Sequence, residues 1–256
     1  NQAINCFSMA RKLFLKEFGN PSKIASSEKN QFLETYYHSF VEEALVYILQ
    51  AHEVEKSKKY LYLDKSIEIL LSMKEVALEE GVDYPLLFQE GDFLLAKAYA
   101  KQGDLSKTED VFEKMMERYL KAGMSCGYYL SRTLYKLGKI AMKKEEYGDA
   151  LLYFSKAEKA ADNRMLTADQ KVNLWIQQSL CYRAQNDLDT AMLTLSKIIN
   201  ENIISHLRIK AMYLRAEIYE EQHRYELAQK QLEAARRKGG EWGKKAEQRL
   251  IEKYGF

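Results

Sequence analysis

Proline is almost missing from this chain: Pro21 and Pro85 are the two in 256 residues. Glycine is scarce too, at twelve. Both break helices, glycine through backbone entropy and proline through its lost N–H. A sequence this poor in them excludes turn-dense all-β architectures and leaves long helices unopposed. The three cysteines, Cys6, Cys126 and Cys181, are odd in number and far apart. They form neither a disulfide framework nor a metal spacing, and fit a reducing compartment. His38, His52, His206 and His223 are scattered, none at ligand distance from another His or Cys. His52-Glu53 opens like the zinc-protease motif but lacks the second histidine. No apolar run approaches the roughly 20 residues that span a bilayer. A formal net charge of +2 carries no bulk signal for nucleic acid. Neither Gly-rich phosphate-binding motif is present, and Pro21 disqualifies Asn20-Pro21-Ser22 as a glycan acceptor. No cofactor and no metal are expected.

What is there is a repeat. Ala96, Gly138, Ser179 and Ala216 are small residues set among large apolar ones, with gaps of 42, 41 and 37. A second small residue follows each by 12: Thr108, Ala150, Ala191 and Ala228. Larger positions keep step: Tyr99, Tyr182 and Tyr219 each follow the first small residue by three, where Ala141 stands in the second unit, and Phe112, Phe154, Leu195 and Leu232 each follow the second by four. A constant inner spacing within a variable outer one describes two helices in fixed tight contact whose far ends differ in length. Self-similarity at this period means a helical solenoid, in which stacked helix pairs share a core that none could build alone.

The pattern resembles the tetratricopeptide repeat. Leu137-Gly138, Ala150, Phe154 and Ala157 match that family's positions, and the likeness covers residues 90–238. The chain departs from it in its long period, in lacking proline after the second helix, and in Gln178 and Arg215 where the family has leucine. The resemblance implies an all-α, right-handed superhelical solenoid of antiparallel helix pairs. One array over 1–256 is expected. It holds a second helix alone at 1–18, a long irregular repeat at 28–80, repeats at 84–122, 125–162, 167–202 and 204–238, and a capping helix at 241–256. In the irregular repeat the small positions Ala44 and Ser66 stand 22 apart, and the polar segment 52–59 is expected to extend its first helix. The array thus opens inside a repeat, which implies a longer natural protein.

Turn signals fall where the repeats need them. Gly103-Asp104, Glu145-Glu146 and Asn186-Asp187 separate the helices of their units, and His223 stands where Gly103 does in its own. Thr167 with Gln170 has the spacing of a capping box. Gly123-Met124-Ser125-Cys126-Gly127 spells G-x-S-x-G, the nucleophile elbow. That motif works only between a strand and a helix, so here it is read as a turn between repeats, and the protein as no enzyme.

The remaining candidate is a groove. In the family the first helix of each pair lines a concave surface, and carrying its ligand-facing positions across gives the site. Phe93, Tyr135, Ile176 and Tyr213 form a line of large anchors. Lys97, Lys101, Lys139, Lys143 and Arg183 make a basic stretch, while Glu217, Glu220 and Glu221 make the C-terminal end acidic. Phe93/Lys97 and Tyr135/Lys139 do not reproduce the Lys/Asn arrangement of the chaperone-binding members. The expected function is a protein-interaction scaffold that holds an extended peptide or partner helix, with an acidic segment or a free C-terminus suited to the lysines. Two alternatives stay open: a peptide-responsive regulator like the bacterial pheromone sensors, and a bacterial envelope or secretion assembly factor. Location is read as cytoplasmic, or periplasmic given an upstream signal sequence. Oligomeric state is not readable.

Overall fold

In the computed structural model, described for residues 2–18, 29–79, 85–121, 123, 127–161, 166–200 and 206–255, the chain is helical with no strand among these residues. The elbow-like Ser125 and Cys126 lie outside them. Among the described residues no helix is long and apolar enough to cross a membrane. The chain divides into two compact units, Asn1–Gly123 and Met124–Phe256.

The N-terminal unit holds α1 (Gln2–Phe18), α2 (Lys29–Glu53), α3 (Lys56–Glu79), α4 (Pro85–Gln102) and α5 (Leu105–Lys121). Pro85 opens α4, where a missing N–H costs no helical bond. Helices α2 and α3 pair, as do α4 and α5, and α1 packs on α2. The polar segment 52–59 is not an extension of the first helix alone. Helix α2 stops at Glu53 and α3 starts at Lys56. The extra residues are shared: α2 runs nine past Ala44 and α3 begins ten before Ser66. A turn of two residues suffices because Lys58 and Lys59 N–H groups both bond back to the Glu55 carbonyl.

The C-terminal unit holds three pairs and a last helix. The pairs are α6 (Tyr128–Lys143) with α7 (Tyr147–Ala160), α8 (Ala168–Ala184) with α9 (Leu188–Asn200), and α10 (Leu207–Glu221) with α11 (Tyr225–Lys238). Helix α12 (Gly240–Tyr254) packs on α11. The small residues are all buried, and each contact has its reason. A β-carbon on Gly138 would sit 2.6 Å from the Phe154 ring, so the ring takes the space a side chain would need. Ser179 and Thr108 stand at such contacts because their hydroxyls donate to carbonyls of their own helix, at 2.8 and 2.6 Å. These two hydroxyls are thereby satisfied where they meet the apolar seam.

Four turns share one geometry. Gly103, Glu145, Asn186 and His223 each follow their small residue by seven and each has positive φ, between 59° and 91°. The next N–H reaches back five residues, as from Asp104 to Tyr99 and from Arg224 to Tyr219. This closes the helix end in the left-handed cap that glycine favours, here imposed on three other residues. Asp104 and Asp187 then cap α5 and α9, each accepting from a backbone N–H three residues on. The box at Thr167 is complete: Gln170 N–H donates to the threonine hydroxyl, and Thr167 N–H to the Gln170 side chain.

Candidate functional site

The first helices of successive pairs in the C-terminal unit, α6, α8 and α10, are joined by side chains 38 residues apart. Asn173 donates to the Tyr135 hydroxyl at 3.1 Å and Lys139 to the Gln177 carbonyl at 2.8 Å. Gln177 donates in turn to Asn173, so four side chains form one chain across α6 and α8. Burial pushes the Tyr135 phenol above its ordinary pKa, partly offset by the bond from Asn173. Beside Tyr135, a pocket of about 150 Å³ opens between α6 and α8, lined also by Arg132, Lys136 and Leu174.

Lys139 stands out electrostatically. Burial lowers its pKa first, and Lys210 and Lys143 lower it further. Its hydrogen-bond partner Gln177 is a neutral amide, and Lys143 one turn on is exposed. The Cys181 thiol next to it is pushed up to about 11 by burial, so it stays protonated and supplies no counter-charge. Lys97 and Lys101 occupy the equivalent positions on α4. There burial depresses Lys101, and Lys97 and Lys59 add repulsion.

Two of the four expected anchors are not surface. Phe93 is 5 % exposed with its ring 5.8 Å from Phe112 of its own pair, and Ile176 is fully buried. The position three before the small residue points toward the partner helix, so only a side chain long enough to pass it emerges. Tyr135 does so, its ring on Phe154 and its hydroxyl beyond. Tyr213 also extends, but α12 covers it: the tilted Trp242 ring lies 5.4 Å from its ring and Arg249 donates to its hydroxyl.

Nor is the acidic end a free surface. Arg183 bonds Glu217 and Glu221, so it is no free cation for a ligand. Burial would lower the Arg183 pKa, but its bonds to Glu221 and Glu217 raise it. Arg249 bonds Glu217 and Glu220, and Lys253 and the Tyr254 hydroxyl also reach Glu220. The Glu220 carboxylate is buried. Burial favours its neutral form, yet these donors outweigh that and hold it below the ordinary glutamate range. The three acids are therefore consumed by cations of α8 and α12. Asn173, Gln177, Lys210, Trp242 and Arg249 escaped the sequence reading. The first three lie on α8 and α10 six or two residues before the small position, outside the carried-over set.

Among the described residues no group of three His, Cys, Asp or Glu can hold a metal ion. Cys6 is exposed and Cys181 buried, and both are free thiols.

No protein-family model matches the chain and no curated protein matches it in sequence. Solved structures do match in fold. BtubC (BKLC) from P. vanneervenii superposes with a TM-score of 0.70 at 13 % identity, over 92 % of this chain and 89 % of that one. The nearly identical TPR-like repeats of a kinesin light chain from Podosopora anserina give 0.61 at 14 %, over 78 % and 92 %. YrrB, described as a TPR protein with an unusual peptide-binding site, gives 0.51 at 18 %, over 77 % and 83 %. At these identities the likeness is one of fold.

Proposed function

We propose that this tetratricopeptide-type solenoid is a non-catalytic protein-interaction scaffold, and that the face built by α6, α8 and α10 holds an extended acidic segment of a partner protein. The observation that carries this reading is the charge imbalance at Lys139. A half-buried ammonium with two lysines near it is unfavourable without an anion, and the acids of α10 are already bonded to Arg183, Arg249 and Lys253. A partner carboxylate supplies the missing charge. Tyr135 offers the apolar contact, with the pocket beside it to receive a side chain. Lys97 and Lys101 offer the same chemistry on α4 of the N-terminal unit. YrrB, with a peptide-binding site on the same fold, makes such a use of the fold reasonable.

The test is affinity capture with the whole chain, followed by binding measurements on the captured partner. Tyr135→Ala is expected to weaken binding about tenfold, because a well-packed aromatic anchor contributes roughly 1–2 kcal/mol or more. Lys139→Glu with Lys143→Glu is expected to slow association and flatten its salt dependence. A partner that binds both folded variants as it binds the parent would place the site elsewhere.

A further inference from the structure

A second pocket, of about 330 Å³, lies within the N-terminal unit between α3, α4 and α5. Asp92, Leu95 and Tyr99 line it from one face of α4, whereas Lys97 and Lys101 sit on the opposite face at 100° per residue. It is therefore separate from the face proposed above to bind a partner.

Its base holds two cations on one carboxylate. The Asp92 side chain is 2 % exposed and is ion-paired both with Lys74 of α3 and, at 2.5 Å, with Arg118 of α5. The cations themselves line the pocket and remain partly open, at 32 % and 39 % exposed. Arg118 uses Nη1 on Asp92, and its Nε–Nη2 edge makes no hydrogen bond to any described residue. At the rim, Lys114 is paired with Asp110 and Lys107 with Asp104, so those charges cancel locally. The base is left with one positive charge too many. The remaining wall is apolar, made by Leu71, Leu95 and the Tyr99 ring, over which Lys107 lies at 5.4 Å.

We infer that this pocket binds a monocarboxylate with a short apolar body. The carboxylate sits on the open edge of Arg118 and on Lys74, completing two anions for two cations. The body lies along Leu71 and Tyr99. An open guanidinium edge takes a carboxylate through two parallel N–H···O bonds, which a neutral amide cannot match. The volume admits a chain of about six to ten heavy atoms, either a free aliphatic acid or the last residue of a peptide. These share the same chemistry.

The experiment titrates the full chain by NMR with hexanoate and its neutral analogue hexanamide, and in parallel with N-acetyl-leucine and N-acetyl-leucinamide. Both acids are expected to shift resonances around Tyr99 and Arg118, with millimolar affinity typical of so small a ligand, and both amides to bind at least tenfold more weakly. N-acetyl-leucine binding tighter than hexanoate assigns the pocket to a chain terminus, and the reverse to a free acid. Arg118→Gln is expected to weaken the acids at least tenfold. Should that variant not fold, Lys107→Glu, at an exposed rim position, carries the test with an expected loss of about threefold. Amides that bind as well as acids, or a folded Arg118→Gln that binds hexanoate like the parent, would overturn the inference. Either result leaves the Tyr135 and Lys139 tests untouched.

Discussion

Glu145 holds a φ of 64°, where its β-carbon crowds the following carbonyl. His223 does the same at 59°, and neither gains what an asparagine or glycine gains there. Glu145→Gly is therefore expected to stabilise the protein by about 0.5–1 kcal/mol, the relief of strain exceeding the entropy glycine adds to the unfolded chain. A raised denaturation midpoint checks this, and a lowered one would mean that the Glu145 side chain contributes more than its backbone costs. Positions such as these were legible as turns because Gly103 and Asn186 mark the same place in other repeats. The left-handed conformation of Glu145 and His223 was legible only through that alignment, since neither residue signals it alone. Three of the four anchor positions, all but Tyr135, proved unavailable for the converse reason. Phe93, Tyr135, Ile176 and Tyr213 share one repeat position, but whether its occupant reaches the surface depends on side-chain length against the partner helix, and on what α12 later covers.

At the scale of the element, α12 was expected as a polar cap and proves to be an ionic clasp. Arg249, Lys253 and Tyr254 all converge on the buried Glu220 carboxylate. A carboxyl whose pKa is depressed in the folded state contributes stability above its unfolded value, near 4.5, and loses it as pH falls through the folded one. Helix α12 is thus expected to stay docked at neutral pH and to release in acid, below the ordinary glutamate range. Glu220→Gln should mimic part of that loss at neutral pH, at a cost of about 2–3 kcal/mol, because it takes the carboxylate from Lys253 and leaves Arg249 with Glu217 alone. The indole NMR signal of Trp242, in ring contact with Tyr213, reports docking. A Trp242 signal unmoved by both acid and Glu220→Gln would show that apolar packing of Ala246 and Leu250 holds α12 without the clasp. No pattern of spacing could have disclosed the clasp, for it joins residues 29 to 34 apart across helices of different pairs.

For the whole molecule, the repeat itself was the legible part. Four small-residue pairs at a spacing of 12 sufficed to place the helices from α4 to α11, because packing of one helix on another is a local demand. In a solenoid, stability passes only between neighbours. Gly138→Leu forces a side chain onto Phe154 and is expected to cost roughly 1–3 kcal/mol or more. The loss should appear in tryptophan fluorescence, since Trp175 and Trp242 both lie in the C-terminal unit. Hydrogen exchange in α2 and α3 should stay at parental rates. Equal acceleration there would show a single cooperative unfolding instead.

The bonds between first helices have a consequence for how such an array can change in evolution. Duplicating a helix pair copies its turn and the contact between its two helices intact, since both are internal to the pair. It does not copy Asn173 on Tyr135, Lys139 on Gln177, or Arg183 on Glu217 and Glu221, each of which needs a particular neighbour. A transposed pair would fold yet meet the wrong side chains at its seams. In this protein the pairs are interchangeable as letters, and the seams spell their order.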